Sequence, residues 1–350
     1  MKRIISLAAS AVLLVACGDR QADEATQEST SAAPKAEAIE TAALIPRTVI
    51  FGNPDRTQAR ISPDGAWVSW LAPKDGVLNV WVAPSDDPAN ARVITNDTYR
   101  GISQYFWAPN SAFVYYIQDQ GGDENFHVYS ANIETGEVAD LTPVKDGARA
   151  TVESISSQRP DEIVVGINER NAQLFDLYLV DVTTGERELL RENPGYAGWL
   201  IDNNLDPRFG FQPTPDGGGN IVDFEGEVFA VIPPEDFLST NALGFNASND
   251  AVFILDSRGR DTAALTRVAL ESGDVEVLAE NERADISGIL VDQRTLEPIA
   301  YNVNHLKSQW YPVDDATADD FEALSAALGG SLSIVATTDD MSKWIVHEDA

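Results

Sequence analysis

Cysteine is almost missing from these 350 residues: there is one, Cys17. A lone thiol excludes an intrachain disulfide and a cysteine-built metal cage. Histidine is nearly as scarce, and His127, His305 and His347 stand far apart in the chain. Metal ligation needs such groups to converge with a carboxylate, and no spacing here suggests it, so no metal or other cofactor is expected. Cations are few as well, 24 Lys and Arg against 56 Asp and Glu, for a formal net charge of −32. A field of that sign repels phosphate backbones, which excludes nucleic acid as a partner. No apolar run approaches the roughly 20 residues of a membrane-spanning helix. Wholesale disorder is excluded by a hydrophobic fraction of 43%, ordinary for a globular chain.

The start of the chain is an address. Lys2 and Arg3 precede a short apolar run over residues 4–15, the pattern of a secretory signal peptide. The run ends in Leu14-Val15-Ala16-Cys17, which resembles the lipobox of bacterial lipoproteins. That resemblance implies a signal peptide over 1–16 and a lipidated Cys17 as first residue of the mature chain. Attached acyl chains hold a protein to a membrane at about 0.8 kcal/mol per buried CH₂. Gly18 follows the cysteine where aspartate would direct retention at the inner membrane, so the expected place is the periplasm-facing outer membrane of a bacterial envelope. Residues 17–43 are mostly Ala, Glu, Asp, Gln, Ser and Thr. They bury too little apolar surface to offset chain entropy, and a flexible acidic tether is expected there.

Within residues 44–350 the sequence repeats from about Ile61 onward. A polar turn followed by an apolar strand begins at Ser62, Ala108, Gln158, Asp206, Ala247, Asp292 and Thr338, in steps of 41 to 50 residues. Ser62-Pro63-Asp64-Gly65 before Trp67-Val68-Ser69-Trp70-Leu71 shows the pattern, as does Ala108-Pro109-Asn110-Ser111 before Phe113-Val114-Tyr115-Tyr116-Ile117. These runs are short, rich in β-branched and aromatic residues, and bounded by turn formers. A second strand follows, then a tight turn such as Glu134-Thr135-Gly136-Glu137, Thr183-Thr184-Gly185-Glu186 or Glu271-Ser272-Gly273-Asp274, and then an outer strand. A period of this length with about four short strands is the signature of a β-propeller blade. The expected fold is all-β: a seven-bladed β-propeller with the last blade incomplete. A β-sandwich is the competing architecture, but it has no need of the same turn chemistry at regular intervals. One helix is expected over 319–328, inserted between the sixth and seventh units. Thr48-Val49-Ile50-Phe51 is a candidate strand to pair with the short seventh unit.

Several segments resemble one family. Leu44-Ile45-Pro46-Arg47 through Phe51-Gly52-Asn53-Pro54, Gly76-Val77-Leu78-Asn79-Val80-Trp81, Asp119-Gln120-Gly121-Gly122-Asp123-Glu124-Asn125-Phe126-His127, Asn193-Pro194-Gly195-Tyr196-Ala197-Gly198-Trp199 and Leu255-Asp256-Ser257-Arg258-Gly259-Arg260-Asp261 are similar to the propeller of prolyl oligopeptidase-family serine peptidases. The likeness is strongest to the dipeptidyl-peptidase and acylaminoacyl-peptidase branch. It implies a C-terminal α/β-hydrolase domain with a G-x-S-x-G nucleophile elbow, an aspartate and a histidine. Gly101-Ile102-Ser103-Gln104-Tyr105 and Gly329-Gly330-Ser331-Leu332-Ser333 both lack the second glycine of the elbow. No catalytic residue is therefore assigned: the hydrolase domain is absent from this chain, which alone is expected to be inactive. The resemblance further implies an oligopeptide substrate filtered by the propeller. Some relatives hold a free peptide amino terminus on propeller glutamates, which makes Asp123 and Glu124 candidate substrate-binding residues. The plainer account of that pair is a solvated hairpin loop.

Other chemistry finds less support. Asp202-Asn203-Asn204-Leu205-Asp206 hints at a calcium loop, but Pro207 and Pro213 stand where glycine and glutamate belong. Ser62-Pro63-Asp64-Gly65 lacks the rest of a sialidase Asp-box. Paired carboxylates for glycoside hydrolysis are not singled out in so acidic a chain. Two functions remain. One is the substrate-gating propeller of an envelope-anchored serine peptidase. The other is a stand-alone lipoprotein propeller that binds peptides or serves as a scaffold. The stop inside the seventh unit favours the first.

Overall fold

The computed structural model describes residues 44–145 and 147–349. The signal peptide, Cys17 and the tether lie outside the described residues. Two compact units divide at Ile50 and Phe51. In the described part of the first unit the chain enters a short helix, α1 (Arg47–Phe51), in which Val49 N–H donates to the Pro46 carbonyl at 2.9 Å. The strand expected from Thr48-Val49-Ile50-Phe51 is thus a helical turn. β-branched residues favour strands mainly where a partner packs them, and a turn closed on Pro46 satisfies its backbone locally.

From Phe51 onward the fold is a β-propeller. Blade one contains Thr57–Ile61, Trp67–Lys74, Val77–Pro84 and Arg92–Val93, paired antiparallel in that order. Blade two has Tyr105–Trp107, Phe113–Gln118, His127–Asn132 and Val138–Asp140, and blade three Ala150–Ile155, Glu162–Asn171, Leu174–Asp181 and Arg187–Arg191. Blade four has Gly198–Ile201, Pro207–Pro213, Gly219–Val222 and Val228–Ile232, and blade five Asn241–Phe245, Ala251–Asp256, Ala264–Ala269 and Val275–Ala279. Blade six stops at three strands, Ile286–Val291, Pro298–His305 and Lys307–Pro312. A final hairpin, Ser331–Thr337 with Trp344–Asp349, follows the helix α2 (Ala318–Ala327).

The expected seven blades are therefore six blades and a hairpin. Two strands bury too little to act as a blade, and this pair is held by its neighbours. Trp310 Nε1 donates to the Leu332 carbonyl at 3.1 Å on the blade-six side. On the blade-one side Asp339 N–H donates to the Pro63 carbonyl at 2.8 Å, and Lys343 Nζ to the Gly65 carbonyl at 3.0 Å. Gly65 has φ +70°, and a side chain there would press on Thr338 Cγ2 at 3.0 Å. Blade six ends early because α2 packs against it. Phe321 of α2 is buried with Leu290 and Ala300 of blade six, and its ring centroid lies 5.7 Å from that of Trp344 in the hairpin.

The core lies between blades. Leu71, Val80 and Val82 of blade one pack on Tyr105, Trp107 and Val114 of blade two. Similar clusters join blades two and three, three and four, four and five, and five and six. A central strand covered on both faces reads as a continuous apolar run instead of an alternation; every residue of Ala251–Asp256 is buried.

Candidate functional site

Successive antiparallel strands place two kinds of loop at opposite ends of the wheel. The turns between first and second strands gather at one end and are stitched to each other. Asp64 N–H donates to Ser111 Oγ at 3.1 Å, Asn110 Nδ2 to Asp161 Oδ1 at 2.9 Å, and Asn203 N–H to Asn249 Oδ1 at 3.0 Å. The suspected calcium loop is one of these turns. Its Asp202 carboxylate accepts from the Asn204 and Asp206 N–H groups and from Arg208 Nη1 at 3.0 Å, which leaves the loop closed on itself. Among the described residues no group of three or more His, Cys, Asp and Glu side chains is placed to share a metal ion.

Asp123 and Glu124 lie at the other end, between the second and third strands of blade two. The loop hangs on Asp119, whose side chain is 3% exposed and whose Oδ2 accepts from Arg100 Nη1 at 3.1 Å and from Glu124 N–H at 3.1 Å. Gly121 and Gly122 turn the chain with φ +66° and +89°, and a Cβ on Gly122 would meet Arg100 Nη1 at 3.0 Å. Glu124 itself has φ +60°, a left-handed conformation that costs a non-glycine residue roughly 1–2 kcal/mol.

The two acids are brought together in sequence but used differently. Asp123 Oδ1 accepts from the N–H groups of Gln120 and Asn125, and Oδ2 from Asn125 Nδ2 at 3.0 Å. The backbone and side chain of Asn125 hold this carboxyl below its usual range. The Glu124 carboxylate is exposed and has no hydrogen bond or ion pair among the described residues. Beneath the loop the third strand is fixed by His127 Nδ1 at 2.7 Å from Asp140 Oδ2 and by stacked Tyr116 and Tyr129, with ring centroids 5.2 Å apart.

A cavity of about 490 Å³ opens on the axis, near the stitched turns. First strands line it, through Ile61, Trp107, Ile155, Leu290 and Ile334 among others. Two charged residues reach it, Arg60 of blade one and Asp339 of the hairpin. Burial, then the nearby Asp340 and Asp64, push the Asp339 carboxyl up. Sequence reasoning missed Arg60, because a lone cation in a strand has no motif and its neighbours come from the far end of the chain.

No family model matches the chain. It is 40% identical over 334 residues to dipeptidyl aminopeptidase BIII of Pseudoxanthomonas mexicana, an alignment covering 94% of this chain and 48% of that enzyme. It is 25% identical over 331 residues to dipeptidyl peptidase family member 6 of Caenorhabditis elegans, covering 87% of this chain and 44% of that protein. The chain thus spans about half the length of the curated relatives it matches. Among solved structures, the β-propeller domain of the Trilobed protease from Pyrococcus furiosus aligns at 16% identity and a TM-score of 0.47, covering 75% of this chain and 84% of that one.

Proposed function

From the similarity of nearly the whole chain to dipeptidyl aminopeptidase BIII, we propose that it is the substrate-gating propeller of a serine peptidase of the prolyl oligopeptidase family, anchored in the cell envelope. The 40% identity over 334 residues carries this reading. Bond cleavage then belongs to an α/β-hydrolase domain outside these 350 residues. The propeller selects peptides by admitting short, flexible ones and by holding their ends. In this reading Glu124 receives the protonated amino group of the peptide. Its carboxylate is committed to nothing else, and the fold holds it out from a left-handed turn. A charge-assisted hydrogen bond of this kind contributes about 1.5–3 kcal/mol, and the acidic surface draws cations toward it.

The test is calorimetric titration of the protein with Ala-Ala-Phe amide and with its N-acetylated form. We expect the free amine to bind roughly tenfold more tightly. Equal affinities, or no binding of either, would overturn the gating role. Anchoring rests on Cys17 in its lipobox-like setting. Expression in a bacterial host with labelled palmitate should mark the native chain and leave Cys17→Ser unmarked; equal labelling of both would remove the anchor.

A further inference from the structure

In a chain of net charge −32, an arginine that lines the axial cavity runs against the prevailing sign. Among the described residues Arg60 forms none of the ion pairs. It is half-buried on the innermost strand of blade one and faces the axial cavity. Nη1 donates to the Val335 carbonyl at 3.2 Å, while Nε is buried and has no hydrogen-bond partner. Buried polar groups are almost always partnered, and an orphan asks for an explanation. The guanidinium lies 5.9 Å from the Tyr105 ring centroid, and Tyr105 is itself fixed by donating its hydroxyl to the Gln58 carbonyl at 2.7 Å. The cation is therefore held in place with part of its planar donor fork unused.

We propose that the axial cavity is a binding site for the carboxylate end of a peptide, with Arg60 as its anchor. The planar guanidinium presents paired N–H donors that match a carboxylate; Nε is occluded, and the donor left open is Nη2, which makes no hydrogen bond among the described residues. An inorganic anion would gain nothing from the rest of the cavity, whose walls include Phe106, Trp107, Ile155, Ile289, Leu296 and Ile334. Those walls suit apolar side chains next to the charged end, and the lining also carries polar residues, with Asp339 its one acidic residue. At about 490 Å³ the space falls within the range of small-ligand sites. The choice of a peptide as occupant rests on the peptidase reading above. The site is nevertheless distinct from Glu124: it lies by the stitched turns, and it recognises the opposite end of the chain by the opposite charge.

The two readings are separated by blocking one end of the peptide. Titration of the protein with N-acetyl-Ala-Ala-Phe and with N-acetyl-Ala-Ala-Phe amide removes any contribution from the amino group. We expect the free acid to bind at least tenfold more tightly than the amide. Arg60→Gln should bring the acid down to the affinity of the amide, and Arg60→Lys should keep part of the preference, since it retains the charge without the fork. Each variant is compared with the native protein by near-ultraviolet circular dichroism and melting temperature. If Arg60→Gln does not fold, the native acid-to-amide ratio and Arg60→Lys decide. Equal binding of acid and amide, no binding of either, or a preference that survives Arg60→Gln would each overturn the site while leaving the amino-terminal test untouched.

Discussion

Asp123 and Glu124 are adjacent acids whose carboxylates do different things, and the difference predicts opposite mutational outcomes. Asp123 spends both oxygens on Gln120 and Asn125 of its own loop, so Asp123→Asn should change the affinity for a free peptide amine by less than about twofold. Glu124 offers the uncommitted charge, and Glu124→Gln should weaken the same binding by about tenfold or more, the equivalent of roughly 1.4 kcal/mol. Calorimetry on the two variants checks this, and equal effects would refute the division of roles. The sequence singles out the pair by its Gly-rich setting but cannot separate its members. What separates them is Asp119 and its contact with Arg100, 19 residues away. Arg60 is harder still to read, because the carbonyl it meets belongs to Val335, 275 residues further on. Local pattern reports local turns, and a ring places its axis-facing residues side by side only after it has closed.

Elements were legible where their signal is short-range. The tight turns ending in Gly136, Gly185 and Gly273 were expected from their composition, and all three glycines have positive φ, +70°, +75° and +71°. The helix expected over 319–328 is found at Ala318–Ala327, because its apolar spacing and the following Gly329-Gly330 act within a few residues. The errors fall where an element depends on a distant partner. At 48–51 a β-branched run looked like a strand, but the turn on Pro46 formed instead. In the seventh unit the turn at Thr338 and the two strands of the expected incomplete blade are present and paired, but they stand as a hairpin and not as a seventh blade. Turn chemistry marks where a unit starts; it does not report how many strands the unit will gather. Blade six shows the same limit from the other side. Nothing in Lys307–Pro312 announces that α2 and Phe321, rather than a fourth strand, will come next to it.

At the scale of the whole molecule the buried ionisable groups set a pH window for stability. Hydrogen bonds from Arg294 hold Asp292 below the usual carboxylate range. Burial pushes Asp176 and Asp256 up, but their arginine partners Arg170 and Arg258, with backbone N–H donors, outweigh it and leave both depressed. A group whose folded value is lowered contributes stability above its unfolded value, about pH 4, and that contribution is lost as pH falls through the folded value. Tyr105, Tyr115 and Tyr116 lie on the other side, raised chiefly by burial. Their contribution is complete below the unfolded tyrosine value, about pH 10, and is lost as pH climbs above it, because only the unfolded chain ionises readily. Melting temperature followed by circular dichroism should therefore be nearly flat from about pH 5 to 9 and fall on both sides. The alkaline fall should coincide with the growth of tyrosinate absorbance. The net charge of −32 adds self-repulsion that salt screens within about 10 Å at 0.1 M, so added salt should raise the melting temperature at pH 8 more than at pH 5, where carboxylates begin to take up protons. A stability maximum at pH 10 or above, or a steep loss between pH 6 and 8, would show that these tyrosines and arginine-paired aspartates do not govern the fold's response to pH.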